Sequence, residues 1–238
     1  MAQTVLHTAA SRGLADHGWL KSYHTFSFGS YFNPERVQFG ALRVLNDDSV
    51  DGGMGFGEHP HDNMEIISIP LEGALQHRDS MGNEAVIERG EIQAMSAGTG
   101  IYHTEYNKDK GRPVKFLQIW LFPNKRNVEP RYDQQKITTS AEPNQLIQIL
   151  SPNQDDAGVW IHQDAWFNLG KLEKDSTIDY HIHKKGNGAY IFVLEGEITI
   201  NGQVLNRRDG YGIWDTDSFN IAAGSNAEFL IMDVPMEF

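Results

Sequence analysis

Gly57-Glu58-His59-Pro60-His61-Asp62-Asn63-Met64-Glu65 sets two histidines two residues apart. On an extended backbone that spacing puts both imidazoles on one side. A glycine-rich approach, Gly52 to Gly57, precedes the pair, and an apolar run, Ile66 to Leu71, follows it. This is how a strand would carry two imidazoles into a barrel. A second stretch, Gly98-Thr99-Gly100-Ile101-Tyr102-His103-Thr104-Glu105, repeats the spacing with a histidine and a carboxylate. The two pairs together are expected to bind one metal ion.

Outward from these motifs the chain reads as short strands separated by turn residues. His24 to Phe28 alternates in the strand manner, Gly40 to Leu45 reads as the next strand, and Asn46-Asp47-Asp48 reads as a turn. Ile66 to Leu71 is a strand interrupted by Pro70, expected at an edge or a bulge. Asp79 to Asn83 reads as a hairpin loop, and Ala85 to Glu88 and Ile92 to Met95 as short strands. Lys115 to Phe122 is the strongest strand of the first half and holds Gln118 in an apolar run. Pro123 to Tyr132 is polar and reads as a connection, with residues 132–150 leading into the second half. There, Ala189 to Leu194, Glu197 to Ile200 and Val204-Leu205 are strand-like, and Asn201-Gly202 is a hairpin signal. Only Ala9 to Leu20 suggests a helical turn, weakened by Gly13 and Gly18.

The chain also echoes itself. Leu71-Glu72-Gly73 recurs as Leu194-Glu195-Gly196, and His59-Pro60-His61 recurs as His181-Ile182-His183. A repeat offset of half the chain points to one unit duplicated, not to a solenoid.

Composition narrows the function classes. At 238 residues there is room for one large domain or two small ones. A net charge of −12 disfavours direct nucleic-acid binding, which needs a basic stripe. The absence of cysteine excludes disulfides, zinc–thiolate sites and thiol catalysis. No apolar run is long enough for a membrane span. Met1 to His7 shows no signal-peptide pattern, so the cytoplasm is the expected location.

These residues resemble the pirin family of two-domain cupins, most closely its bacterial, quercetinase-type members. The family's HPH-x-x-x-E run is matched by His59-Pro60-His61 and Glu65, and its M-[ST]-A-G-x-G-x-x-H-x-E run by Met95 to Glu105. The resemblance implies an all-β bicupin: two β-barrel (double-stranded β-helix) domains with few short helices. Residues 1–131 would form the metal-bearing domain, and residues 132–238 a degenerate, metal-free one.

By the same resemblance His59, His61, His103 and Glu105 are the metal ligands, and the ion is iron(II), with Zn, Mn, Ni, Co or Cu as alternatives. Three imidazoles and a carboxylate suit such ions and suit Mg or Ca poorly. Four protein ligands on an octahedral ion leave two positions open for water, substrate or dioxygen. Glu65 fits the general cupin ligand pattern but is expected behind the ligands, since Glu105 takes its place. Gln118 either faces the cavity or satisfies a buried backbone group. His181 and His183 lack a third imidazole downstream, so they are not expected to form a second centre. His7, His17, His24, His77 and His162 have no partner at ligand spacing and read as structural.

The activity implied is that of quercetin 2,3-dioxygenase, the cleavage of a flavonol-type aromatic enol with O2. Glu105 would be the catalytic residue that accepts the proton of the enol hydroxyl. The substrate would be a small aromatic molecule. The alternatives are a metal-binding regulator acting through a protein partner, and a cupin isomerase or hydrolase using the same ligands.

Overall fold

Apolar alternation along the chain is realised as four almost wholly antiparallel sheets in a computed structural model that describes residues 2–137 and 143–238. In the first half a seven-stranded sheet runs in the order Arg131–Lys136, Glu91–Ser96, Glu65–Glu72, Val114–Leu121, Leu42–Val50, Leu20–His24, Gly13–Asp16. A four-stranded sheet, Gly55–His61, Ile101–Asn107, Ala74–Asp79, Glu84–Glu88, faces it. The second half repeats the scheme. Its large sheet is ordered Gln3–His7, Gly210–Trp214, Asn187–Glu195, Ala227–Pro235, Trp166–Leu172, Gln145–Ser151, Val159–Trp160. Its small sheet is Thr177–His181, Ser218–Ala223, Ile198–Ile200, Gln203–Leu205.

Among the described residues the expected closed β-barrels are not formed. Each half is a pair of open sheets with free edges. The cause lies at the corners. The chain leaves the large sheet for the small one at Gly73 (φ 76°) and, in the second half, at Gly196 (φ 80°). A left-handed glycine turns the chain sharply, and no ladder of hydrogen bonds bridges the two sheets there. The strands Gly13–Asp16 and Arg131–Lys136 extend the first large sheet at its two ends without joining the small one.

The two large sheets pack back to back. Leu45, Ile67, Leu117 and Ile119 meet Phe167, Tyr190, Phe192 and Leu230 in one shared core. Each such side chain contributes roughly 1.5–3 kcal/mol on burial, so this layer is the main source of cohesion. The interior of the second half is filled by apolar side chains such as Tyr180, Ile191, Phe219, Ile221 and Ile231. The first half differs. Its interior is apolar at one end (Leu20, Val50, Leu75, Phe116) and at the other (Ile66, Met95, Ile101), with polar groups between.

Local readings are refined by the same packing. Asn46, Asp47 and Asp48 lie inside the strand Leu42–Val50, not in a turn. Asn46 and Asp48 are buried on the inner face of a central strand, and tertiary burial overrides their turn preference. The strand expected from His24 onward ends there, Leu20–His24. Pro70 lies in a central strand beside a register shift at Lys115/Phe116, where a missing N–H is tolerated. Asn201 (φ 49°) and Gly202 (φ 83°) form the hairpin tip. The helical turn is a 3-10 turn, Ala9–Ser11. Of the 132–150 lead-in, residues 138–142 lie outside the described residues.

Candidate metal centre

The two histidine-bearing motifs become neighbouring strands. In the pairing of Gly55–His61 with Ile101–Asn107, His103 stands opposite His59, and the register shifts between His103 and Glu105. The ring centroids are 4.3 Å apart for His59–His103, 4.9 Å for His59–His61 and 5.0 Å for His61–His103. One ring nitrogen from each of the three lies within 4.8 Å of the others. Glu105 belongs to a second, overlapping group within the same limit, with His103 and His77. His103 is therefore common to both.

These residues fit a transition-metal ion. Both ring nitrogens of His103 are buried without a protein partner, an arrangement that a ligand bond relieves. The Nδ1 of His59 is engaged with the Gly57 carbonyl at 2.7 Å, which leaves Nε2 as its free donor atom. Burial, then the neighbouring imidazoles, lowers the pKa of His61 to about 4 and that of His103 to about 2. At neutral pH both are in the uncharged, ligating form.

Glu105 is held by the large sheet opposite. Gln118 Nε2 donates to its Oε2 at 2.7 Å, and Ser68 Oγ donates to its Oε1 at 3.1 Å. Gln118 thus faces the site and bonds to the carboxylate. Burial raises the Glu105 pKa, against the opposing pull of His77, His59 and these two donors.

His77 was absent from the sequence-based site. It is fully buried, its Nε2 is 3.1 Å from Asp79 Oδ2, and its Nδ1 has no partner. A carboxylate behind an imidazole is the usual support of a metal-site histidine. The signal was the alternation Leu75-x-His77-x-Asp79, which puts His77 on the inner face of the strand beside Glu105. Glu65 stands in neither group. Its Oε2 accepts from Ser96 Oγ at 2.6 Å, and burial raises its pKa to about 7.

The second half has the echo without the constellation. His181 pairs with Ser218 and its neighbour Tyr180 with Phe219, and Ile221 pairs with Ile200, so no imidazole stands opposite the repeated pair. His183 stacks on Trp166 at 4.9 Å, and its Nδ1 is 3.1 Å from the buried Asp233. His181 is exposed. Among the described residues, both groups of three candidate ligands lie in the first half.

Comparison with known proteins agrees with this geometry. The profile of the Pirin family matches residues 6–121, and one described as the quercetinase C-terminal cupin domain matches residues 148–234. Quercetin 2,3-dioxygenase of Escherichia coli K12 is 43% identical over 230 residues, covering 97% of this chain and 98% of that protein. A pirin-like protein of Caulobacter vibrioides is 38% identical over 222 residues, covering 93% of this chain and 95% of its own. The crystal structure of the bacterial pirin YhhW from Escherichia coli in complex with nickel(II) superposes with a TM-score of 0.92 at 41% identity, covering 98% of this chain and 99% of that one. The His/Glu cluster, together with a nickel-bound relative, identifies a divalent-metal site. No helix among the described residues is long and apolar enough to cross a membrane.

Proposed function

Since the chain belongs to the pirin family of two-domain cupins, we infer that it is a metal-dependent dioxygenase of the quercetin 2,3-dioxygenase type, cleaving a small flavonol-like aromatic enol with O2. The observation that carries this reading is the convergence of His59, His61 and His103, with Glu105 buried beside His103, in the interior of the first half. His59, His61, His103 and Glu105 would hold the ion, iron(II) in the first place. Zn, Mn, Ni, Co or Cu are the alternatives that the same donors accept. When bound, the ion supplies Lewis acidity toward the enol hydroxyl and a meeting point for substrate and dioxygen.

The chain's own groups do the rest. Glu105 takes the hydroxyl proton. Its burial makes it a stronger base than an exposed carboxylate, and Gln118 and Ser68 fix its direction. Ile66, Met95, Ile101 and the part-buried Trp120 wall off water. The lobe read as residues 1–131 bears the metal in this reading, with Gln3–His7 lent to the second half's large sheet and Arg131–Lys136 completing the first half's. Residues 132–238 serve as scaffold, supported by the apolar filling at the positions of the ligands. The cytoplasmic location belongs to the same proposal.

Reconstitution with Fe(II) under anaerobic conditions, followed by oxygen uptake and carbon monoxide detection with quercetin, tests it. Turnover well above that of free metal is expected. Full metal occupancy without turnover would sink the reading and favour a regulator acting through a protein partner.

A further inference from the structure

His77 and Asp79 lie on Ala74–Asp79, the strand that flanks Ile101–Asn107 on the side away from His59 and His61. In that pairing His77 stands opposite Glu105 and Asp79 opposite His103. Both side chains are fully buried. The His77 ring is packed between those of His103, 5.3 Å away, and Tyr132, 4.7 Å away.

Hydrogen bonds decide which nitrogen of this ring is free. Asp79 Oδ2 is 3.1 Å from His77 Nε2 and accepts from Asn83 Nδ2 at 2.8 Å. Asp79 Oδ1 accepts the backbone N–H groups of Met81 and Asn83, each at 3.0 Å. Burial disfavours the charged carboxyl, but the bonds from Asn83 and His77 outweigh it and hold its pKa below the usual carboxylate range. A carboxylate only accepts, so Nε2 carries the proton of the uncharged ring and Nδ1 keeps its lone pair. That Nδ1 is buried without a protein partner, as are both nitrogens of His103. Each such atom costs roughly 1–3 kcal/mol when left unpaired. Glu105 accepts one bond on each oxygen, which leaves each a second lone pair.

His77, His103 and Glu105 each offer a donor atom within 4.8 Å of the other two. Glu105 is grouped in this way with His77, not with His59 and His61. The fold does not demand these groups. Counted from the glycine of the Leu-Glu-Gly repeat, the place of His77 in the second half is taken by Ile200, which pairs with Ile221. Two isoleucines fill that position of the sheet.

We propose that His77 is a metal ligand through Nδ1, and that His77, His103 and Glu105 form an inner seat for a divalent transition-metal ion beside the outer seat at His59 and His61. His103 and Glu105 serve both seats, so an ion occupies one at a time. Two imidazoles and a carboxylate suit a tetrahedral ion such as Zn(II) or Co(II), with water in the fourth position. Asp79 fixes the ring and its tautomer from behind. All three inner ligands are buried, whereas His59 and His61 are part-buried, so the ion reaches the inner seat by way of the outer one. The inner seat does not rest on the dioxygenase reading.

The test removes the outer seat and asks whether an ion is still held. Zn(II) is titrated calorimetrically into the metal-free full-length chain carrying His59→Ala and His61→Ala, with circular dichroism to check the fold. If that pair does not fold, His59→Gln with His61→Gln takes its place. The double variant is expected to bind one equivalent, and X-ray absorption at the zinc edge is expected to show two imidazoles on the ion. Adding His77→Phe should weaken binding by more than about hundredfold, beyond the effect of losing a supporting partner, and Asp79→Asn in its stead by about 10–100-fold. If the His77→Phe combination does not fold, the imidazole count and Asp79→Asn decide. No zinc bound by the folded double variant, a single imidazole on the ion, or affinity unchanged by His77→Phe overturns the inner seat. Each of these leaves the dioxygenase reading standing, because that reading is tested by turnover in the wild type.

Discussion

At the scale of single residues, His103 is the pivot of the site because both groups of candidate ligands share it. His103→Ala should lower metal content sharply, whereas His181→Ala, on the exposed end of the echo, should leave it near the wild-type value. Elemental analysis of protein loaded with Fe(II) or Ni(II) decides, and equal metal content in both variants would refute the assignment. Gln118→Leu removes the donor to Glu105 Oε2 and leaves a buried carboxylate oxygen unpaired. It should destabilise the ligand-free chain by roughly 1–3 kcal/mol, measured by chemical denaturation. The clustering of His59, His61 and His103 was legible because two short motifs keep their spacing whatever the strand order. His77 was harder to read: its strand, Ala74–Asp79, is polar at four of six positions, and it is the pairing with Glu105 that brings it to the site.

At the scale of elements, the alternation of apolar residues located most strands, and the glycines decide how they are joined. Gly98 precedes the strand that carries His103 and Glu105, and it adopts φ 48°. A Cβ there would lie 2.1 Å from the Val128 carbonyl oxygen, an atom already bound to the Thr99 N–H at 2.9 Å and unable to retreat freely. Gly98→Ala should therefore cost about 3 kcal/mol or more and weaken metal binding by displacing the strand. Gly90 has φ 88° but no heavy atom within 4 Å of a Cβ. Gly90→Ala should cost only about 1 kcal/mol, the conformational strain alone. Denaturation of the two variants side by side checks the contrast. Barrel closure could not be read from strand periodicity. Alternation specifies which face is buried but not whether the last strand of one sheet bonds to the first strand of the next. Asn46 to Asp48 were misplaced for a related reason: their composition is that of a turn, and their burial is a property of the assembled lobe.

At the scale of the whole molecule, the two halves are joined by more than their shared core. Gln3–His7, the start of the chain, is an edge strand of the second half's large sheet. His7 Nδ1 meets the hydroxyl of the fully buried Tyr190 at 2.8 Å, and both rings pack against Phe26 of the first half. Burial, then the nearby Arg36 charge, lowers the His7 pKa from 6.5 to about 4. The sign of the pH dependence follows from the order of protonation. Above pH 6.5 His7 is neutral whether the chain is folded or unfolded, and its contribution is complete. Between 6.5 and 4 the unfolded chain takes up the proton first, so stability falls with pH. Below 4 both states are protonated and the loss levels off. The full loss is about 3 kcal/mol, a large fraction of the stability of a typical domain. His7→Phe keeps an aromatic ring at this position but removes the titration. Its unfolding free energy should therefore fall less steeply than that of the wild type between pH 6.5 and 4, with parallel curves above pH 7. Urea denaturation across that range, on metal-free protein so that the ligand histidines contribute equally to both curves, measures the difference. Superimposable slopes would show that the contact joining the halves does not depend on an uncharged His7.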